Sequence, residues 1–170
     1  MPCQDANAAR MSTRKLEKSR MTGERLHASA VELSTGGVLL LGPAGSGKSS
    51  LAVHLIDLYG GRLIADDRVC LTLEGTKLKA APPDNLAGLL ELRGFGIIAM
   101  PHQNAVIDLA VELVARARVP RLAKADNFTH QGVQIPLLRL HGHDATSAAA
   151  IVRALALLPI AGFSPEGIYR

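Results

Sequence analysis

The sequence contains few aromatic residues and only two cysteines, and both shortages exclude particular functions. Among 170 residues tryptophan is absent and aromatic side chains make up 3%. A surface that binds nucleic acid by stacking bases on aromatic rings is therefore not expected. Cys3 and Cys70 are isolated from each other and lack metal-ligand spacing. We therefore predict a reducing compartment and a cytoplasmic protein.

The chain also lacks long apolar runs and the apolar core of a signal peptide. Its longest apolar stretches, such as residues 148–152 and 154–158, are far too short to cross a bilayer, so we expect no membrane association. The formal net charge is +4, but much of the basic excess lies near the N-terminus. We interpret residues 1–24 as a flexible basic tail rather than a nucleic-acid-binding surface, and residues 25–170 as one domain.

Hydrophobic residues make up 48% of the chain, which is enough for a core, and their periodicity predicts an α/β fold. Its central mixed sheet would be flanked by helices. Residues 87–96 are expected to form a loop-rich segment. The predicted strands are residues 27–33, 38–41, 63–65, 69–73, 77–80, 106–114 and 134–140, and the predicted helices are residues 49–59 and 145–158.

A complete P-loop pattern follows the apolar run at residues 38–41. It consists of Gly42, Pro43, Ala44, Gly45, Ser46, Gly47, Lys48 and Ser49. Glycines let backbone N–H groups converge on an anion, and the following helix adds the positive end of its dipole. Lys48 can reach the β- and γ-phosphates and Ser49 can bind Mg²⁺. The pattern predicts a nucleoside triphosphate site.

Two adjacent carboxylates end the strand at residues 63–65. Asp66 lies 17 residues beyond Ser49 and Asp67 follows it, at the place where P-loop proteins hold Mg²⁺. One carboxylate can serve the metal while the other accepts a proton from an attacking hydroxyl. Strand-end aspartates are also common in solvated turns, so both interpretations stay open here. By themselves, Glu91, Arg93 and His27 are typical of exposed surface residues.

Together these segments resemble a known family. The stretches "RLHASAVEL", "GVLLLGPAGSGKSSLAVHLI", "GGRLIADDRV" and "LAGLLELRGFGII" are similar to successive segments of the bacterial HPr kinase/phosphorylase catalytic domain. The resemblance is strong over about residues 25–100 and weakens towards residue 140. Larger family members carry a separate N-terminal domain, so the resemblance identifies this chain as a short form without it.

The resemblance implies roles for matching positions in a P-loop kinase domain. The loop and Lys48 would bind ATP. Ser49 and Glu91 would hold Mg²⁺, and Asp67 would be the second carboxylate ligand of that ion. Asp66 would be the general base and His27 an active-site residue. The family's catalytic arginine matches Arg121 only moderately, and Arg116 and Arg118 are rivals. The implied catalytic residues are thus His27, Lys48, Asp66 and Arg121.

The implied function is ATP-dependent phosphorylation of a serine on HPr, the phosphocarrier of the phosphotransferase system, or on a paralogue. The resemblance also implies a homo-oligomer, a hexamer in the family. The alternatives are a small-molecule P-loop kinase or NTPase, and a nucleotide-sensing regulatory module without catalysis. Reverse phosphorylase activity is expected to be weak. His141, His143 and Asp144 stand where the family carries two arginines tied to that reaction.

Overall fold

The computed structural model describes residues 24–169. The predicted tail therefore lies outside the described residues except for Glu24. The predicted α/β class is confirmed. In chain order the strands are β1 (Glu24–Leu26), β2 (Ala28–Leu33), β3 (Gly36–Leu41), β4 (Arg62–Ala65), β5 (Val69–Glu74), β6 (Lys77–Ala81), β7 (Leu89–Leu92), β8 (Gly96–Ala99), β9 (Ala105–Leu113), β10 (Asn127–His130) and β11 (Val133–Leu140), and the helices are α1 (Lys48–Tyr59) and α2 (Ser147–Ala161).

Within the described part of the chain, nine strands form one mixed sheet around the long strand β9. The order is β1-β5-β6-β9-β3-β2-β4. Strand β9 pairs in parallel with β3, and its C-terminal half pairs in parallel with β11 from Leu137↔Ala110 to Leu140↔Leu113. Strand β10 is antiparallel to β11. Because β3, β9 and β11 are parallel, the loops that follow them all leave from the same edge of the sheet.

The core lies on both faces of this sheet, as the period-two alternation of strand side chains requires. Val38 and Leu40 of β3 face the helices, where Leu55 of α1 and Ile151 of α2 are fully buried. Leu39 faces the opposite side, in a second cluster that also takes residues from β5, β6 and β11. The sheet therefore curls around the second cluster, while both helices cover its other face.

Helix α1 agrees with the predicted helix over residues 49–59 and has a glycine at each end. Gly47 precedes it at φ 94° and Gly60 follows it at φ 67°. Both values fall in the left-handed region that glycine adopts without a Cβ penalty. The Gly60 N–H donates to the carbonyl of Leu55, which ends the helix. No helix in residues 24–169 is long and apolar enough to cross a membrane.

The prediction of a loop-rich segment at residues 87–96 is wrong. Strands β7 and β8 pair as an antiparallel hairpin in register from Leu89↔Ala99 to Leu92↔Gly96. Gly88 and Gly94 take positive φ values at the ends of β7, so the glycines bound a strand rather than disrupt one. Strand β10, which the sequence did not predict, adds an edge beside β11.

Candidate active site

A cavity of about 270 Å³ opens where the P-loop leaves the carboxyl end of β3. It brings together nine of the residues that the sequence predicts for the site: His27, Ala44, Gly45, Gly47, Lys48, Ser49, Asp66, Asp67 and Glu91. The other lining residues are Ser50, Arg93 and His143. Five separate parts of the chain therefore meet around one space, which lies where open α/β sheets bind their ligands.

The P-loop backbone has the conformation that its glycines allow. Gly42, Gly45 and Gly47 have φ values of 147°, 79° and 94°, and a Cβ on Gly42 would lie 3.0 Å from the Leu113 carbonyl oxygen. The buried Lys48 amine folds back and donates to the carbonyls of Gly42 at 2.8 Å and Pro43 at 3.0 Å. The loop thus holds a cation ready beside the cavity.

Burial lowers the pKa of the Lys48 ammonium, and the negative charges of Asp66 and Asp67 partly oppose that shift. Desolvation disfavours a charged amine, whereas nearby carboxylates favour it. A phosphate group at the loop would act in the same direction as the carboxylates. The site therefore has an electrostatic reason to accept an anion next to Lys48.

Asp66 is a buried carboxylate with donors from three parts of the chain. It is 4% exposed. Ser29 Oγ of β2 donates to it at 2.5 Å, and Ser49 Oγ at the start of α1 lies 2.9 and 3.0 Å from its two oxygens. The backbone N–H of Glu91 in β7 donates at 3.3 Å. This carboxylate therefore joins the P-loop helix to the sheet and to the β7–β8 hairpin.

Asp67 faces a different environment from its neighbour. Its side chain is 64% exposed and lies 3.4 Å from His27 Nε2 and 3.8 Å from Arg68 Nε. Its backbone is left-handed, with φ 62°, a conformation that costs energy for a residue with a Cβ. The turn at Asp67 therefore places the two adjacent carboxylates in different surroundings. That of Asp66 is buried and contacts Ser49, and that of Asp67 is exposed and contacts His27.

Two lining residues, Arg93 and His143, are not among the catalytic, nucleotide-binding or metal residues predicted from the sequence. Arg93 lies two residues after Glu91, in the turn that follows β7, and both residues line the cavity. His143 lies in the loop after β11, and its Nε2 donates to the Gly45 carbonyl at 3.1 Å. The Glu-x-Arg spacing was a usable signal for Arg93, whereas no local signal pointed to the contact of His143.

The arrangement fits a nucleotide phosphate with Mg²⁺. Ser46 Oγ in the P-loop is buried and has no hydrogen-bond partner among the described residues, so the loop has an unused polar atom. No three His, Cys, Asp or Glu side chains within residues 24–169 form a metal site by themselves. Mg²⁺ in phosphate sites is typically held by one or two carboxylates together with the substrate phosphates. Ser49, Asp67 and Glu91 supply oxygens of that kind.

The three candidate arginines differ in their positions. Arg121 and Arg118 are exposed, and neither is among the residues that line the cavity. Arg116 contacts Asp144, which is adjacent to the cavity residue His143. The choice of Arg121 as the catalytic arginine therefore stays a prediction.

Removing the Ser29 hydroxyl should destabilise the fold through Asp66. Ser29 is fully buried, so Ser29→Ala leaves a buried carboxylate with one donor fewer. Hydrogen bonds to charged groups contribute about 1.5–3 kcal/mol, and we expect a loss of that size in the free energy of unfolding, measured with urea. Ser34→Ala, in an exposed turn, is the control. Equal stabilities of the two variants would contradict the role of Ser29.

Comparison with known proteins supplies the family. The family model described as the HPr Serine kinase C-terminal domain matches residues 19–159. The HPr kinase/phosphorylase of Chlorobium phaeobacteroides is 29% identical over 147 residues, which cover 79% of this chain. The HPr kinase/phosphorylase of Xylella fastidiosa is 29% identical over 163 residues, which cover 85% of this chain.

A solved structure agrees with these matches. The Hpr(Ser) kinase/phosphatase from Coxiella burnetii superposes with a TM-score of 0.66 and 25% sequence identity, covering 78% of this chain and 87% of that one. The chain spans 43% of the Chlorobium protein and 51% of the Xylella protein. Because the family model matches most of the sequence, the chain belongs to the HPr serine kinase C-terminal domain family.

Proposed function

We propose that this chain transfers the terminal phosphoryl group of ATP to a serine hydroxyl on HPr or a paralogue. The observation that carries the proposal is the contact of Ser49 Oγ with both Asp66 oxygens, beside the Lys48 amine. That contact joins a phosphate-binding loop to a carboxylate, the two parts that phosphoryl transfer to a hydroxyl requires. Family membership and the names of the relatives support the same activity.

The residues around the cavity would have different roles in the proposed reaction. The amides of the P-loop and the Lys48 amine would hold the phosphates. Ser49, Asp67 and Glu91 would hold Mg²⁺, which when bound neutralises phosphate charge. His27 contacts Asp67 and would fix the position of that carboxylate. The roles of all these residues rest on their position in one cavity and on the family resemblance.

Asp66 is proposed as the general base that takes the proton from the acceptor serine. Ser49 has one hydroxyl proton, so it donates to only one Asp66 oxygen at a time, while Ser29 donates to one of the two oxygens and the Glu91 amide to the other. A carboxylate has about four acceptor positions, so one is left for the proton of the acceptor serine. The same contact also keeps Asp66 close to a proposed metal ligand. The base and metal roles of the two aspartates therefore need an experiment that separates them.

The remaining predictions rest on the sequence and the resemblance. They are a cytoplasmic location and assembly as a homo-oligomer, a hexamer by resemblance. Neither nucleic acid nor a membrane is an expected partner.

Transfer should depend on the Lys48 charge. We expect ATP and Mg²⁺ to add the mass of one phosphoryl group to the carrier, measured by intact-mass spectrometry. Lys48→Ala should slow transfer by about 10²-fold or more, because the transferred group loses a preorganised cation. Lys77→Ala, on an exposed part of β6, should behave as the parent does. An unmodified carrier with continued ATP consumption would instead indicate a small-molecule kinase or an NTPase, and nucleotide binding without consumption would indicate a sensor.

A pair of isosteric variants should separate the two aspartates. Asp66→Asn should slow transfer by about 10²–10⁴-fold, the usual effect of losing a general base, with little change in Mg²⁺-dependent ATP binding. Asp67→Asn should weaken the Mg²⁺ dependence of ATP binding. Calorimetric titrations and transfer rates measure both effects. The roles are reversed if Asp66→Asn abolishes the Mg²⁺ dependence and Asp67→Asn only slows transfer.

We further propose that the reverse reaction is weak. In that reaction an oxygen of hydrogen phosphate bonds to the phosphorus of phosphoserine and the bond from phosphorus to the serine oxygen breaks. The serine oxygen takes up the proton of the attacking phosphate, and pyrophosphate leaves. Two anions about 4 Å apart at an effective dielectric near 20 repel each other by roughly 4 kcal/mol. His143 donates to the P-loop and Arg116 contacts Asp144. Both side chains therefore already have partners within the protein in this conformation.

The direction of the reaction can be measured directly. The phosphoserine carrier is incubated with this chain and inorganic phosphate, without ATP, at neutral pH. We expect pyrophosphate release to be at least about tenfold slower than forward transfer, a difference of about 1.4 kcal/mol in the barrier. Equal forward and reverse rates would show that other residues offset the repulsion.

A further inference from the structure

The loop after β11 lies against the P-loop at the same edge of the sheet. Because β3, β9 and β11 are parallel, the P-loop, residues 114–118 and residues 141–146 all follow strand ends at this edge. Ligands of α/β sheets bind outside the carboxyl ends of such strands. The loop of residues 141–146 is therefore in a position to act on whatever the P-loop holds.

The two loops approach each other closely. A Cβ on Gly142 would lie 2.1 Å from the Ser46 carbonyl oxygen, and a Cβ on Gly47 would lie 3.0 Å from the Gly142 carbonyl carbon. A side chain at Gly142 would collide with backbone and one at Gly47 would crowd it, so the loops pack against each other through glycine. Next to this contact, the His143 ring donates from Nε2 to the Gly45 carbonyl at 3.1 Å.

The loop that carries His143 is itself held in place. His141 Nδ1 donates to the Val114 carbonyl at 3.0 Å, and Ser147 Oγ donates to the His141 carbonyl at 2.7 Å. Asp144 contacts Arg116 on the neighbouring connection. The His143 ring also lies edge-on to the His141 ring, with centroids 5.6 Å apart. These contacts attach the loop to the end of β9 and to the start of α2, so the backbone on both sides of His143 is held in place.

We propose that His143 is a positioning residue of the P-loop. The peptide between Gly45 and Ser46 is planar, and it is held at both ends, since its carbonyl accepts from His143 and its N–H donates to the Pro43 carbonyl at 3.2 Å. Fixing this peptide fixes the direction of the neighbouring amides that would face a phosphate. A preorganised site loses less entropy when its ligand binds. The nature of that ligand, a nucleoside triphosphate, rests on the proposed function.

The experiment compares His143→Ala, which removes the donor, with His143→Gln, which keeps an N–H donor that reaches about as far from the backbone as the histidine Nε2. His54→Ala, an exposed histidine on α1, is the matched control. Amide hydrogen exchange of the P-loop is measured in the full chain without nucleotide. ATP with Mg²⁺ is then titrated into each variant by calorimetry. The exchange measurement needs neither nucleotide nor activity.

Loss of one hydrogen bond should speed P-loop exchange and weaken ATP binding, each by about two- to tenfold, in His143→Ala. His143→Gln should recover most of both effects, and His54→Ala should match the parent. Parent-like exchange in His143→Ala, or a glutamine variant as impaired as the alanine variant, would overturn the role of His143. Altered exchange with no ATP binding in any form, the parent included, would support the contact and overturn the proposed function.

Discussion

The buried carboxylate of Asp66 is the interaction on which the site depends. A charged group that is 4% exposed is tolerated only where hydrogen-bond donors surround it. Those donors come from Ser29 in β2, Ser49 in α1 and the Glu91 amide in β7. Each of these elements must therefore keep its register at the point of contact. The requirement links the P-loop, the sheet and the β7–β8 hairpin into one structure.

The parallel strands supply the other constraint. Fully buried Leu40 and Val111 lie side by side in β3 and β9, and this apolar pairing fixes where the following loops begin. The close approach of the P-loop and the His143 loop requires glycine at position 142, and glycine at position 47 relieves crowding on the other side. The shape of the cavity thus depends on the apolar packing between β3 and β9 and on the backbone contact between the two loops.

Local signals were sufficient for much of the fold and for most of the residues that the structure brings together at the candidate site. The P-loop, helix α1 and the Asp66-Asp67 turn follow from spacing, glycine placement and strand periodicity. The β7–β8 hairpin was missed because Gly88, Gly94 and Gly96 favour a loop when strand pairing is unknown. His143 contacts Gly45, which lies 98 positions away. The residues next to His143 and those next to Gly45 give no sequence signal for that contact. Local spacing also could not show that Asp66 contacts Ser49 whereas Asp67 contacts His27. The two side chains point in different directions because the backbone at Asp67 is left-handed.

The central claim is that the P-loop, the two aspartates, Glu91 and the His143 loop form one nucleotide site. The most direct measurement is a titration of the isotope-labelled chain with ATP and Mg²⁺, followed through backbone amide resonances. The amides of Gly45–Ser49, Asp66, Asp67, Glu91 and His143 should shift together along one binding curve. Shifts confined to another region, such as the apolar groove lined by Leu138, Ala154 and Leu157, or no shifts at all, would contradict a single site at this edge of the sheet.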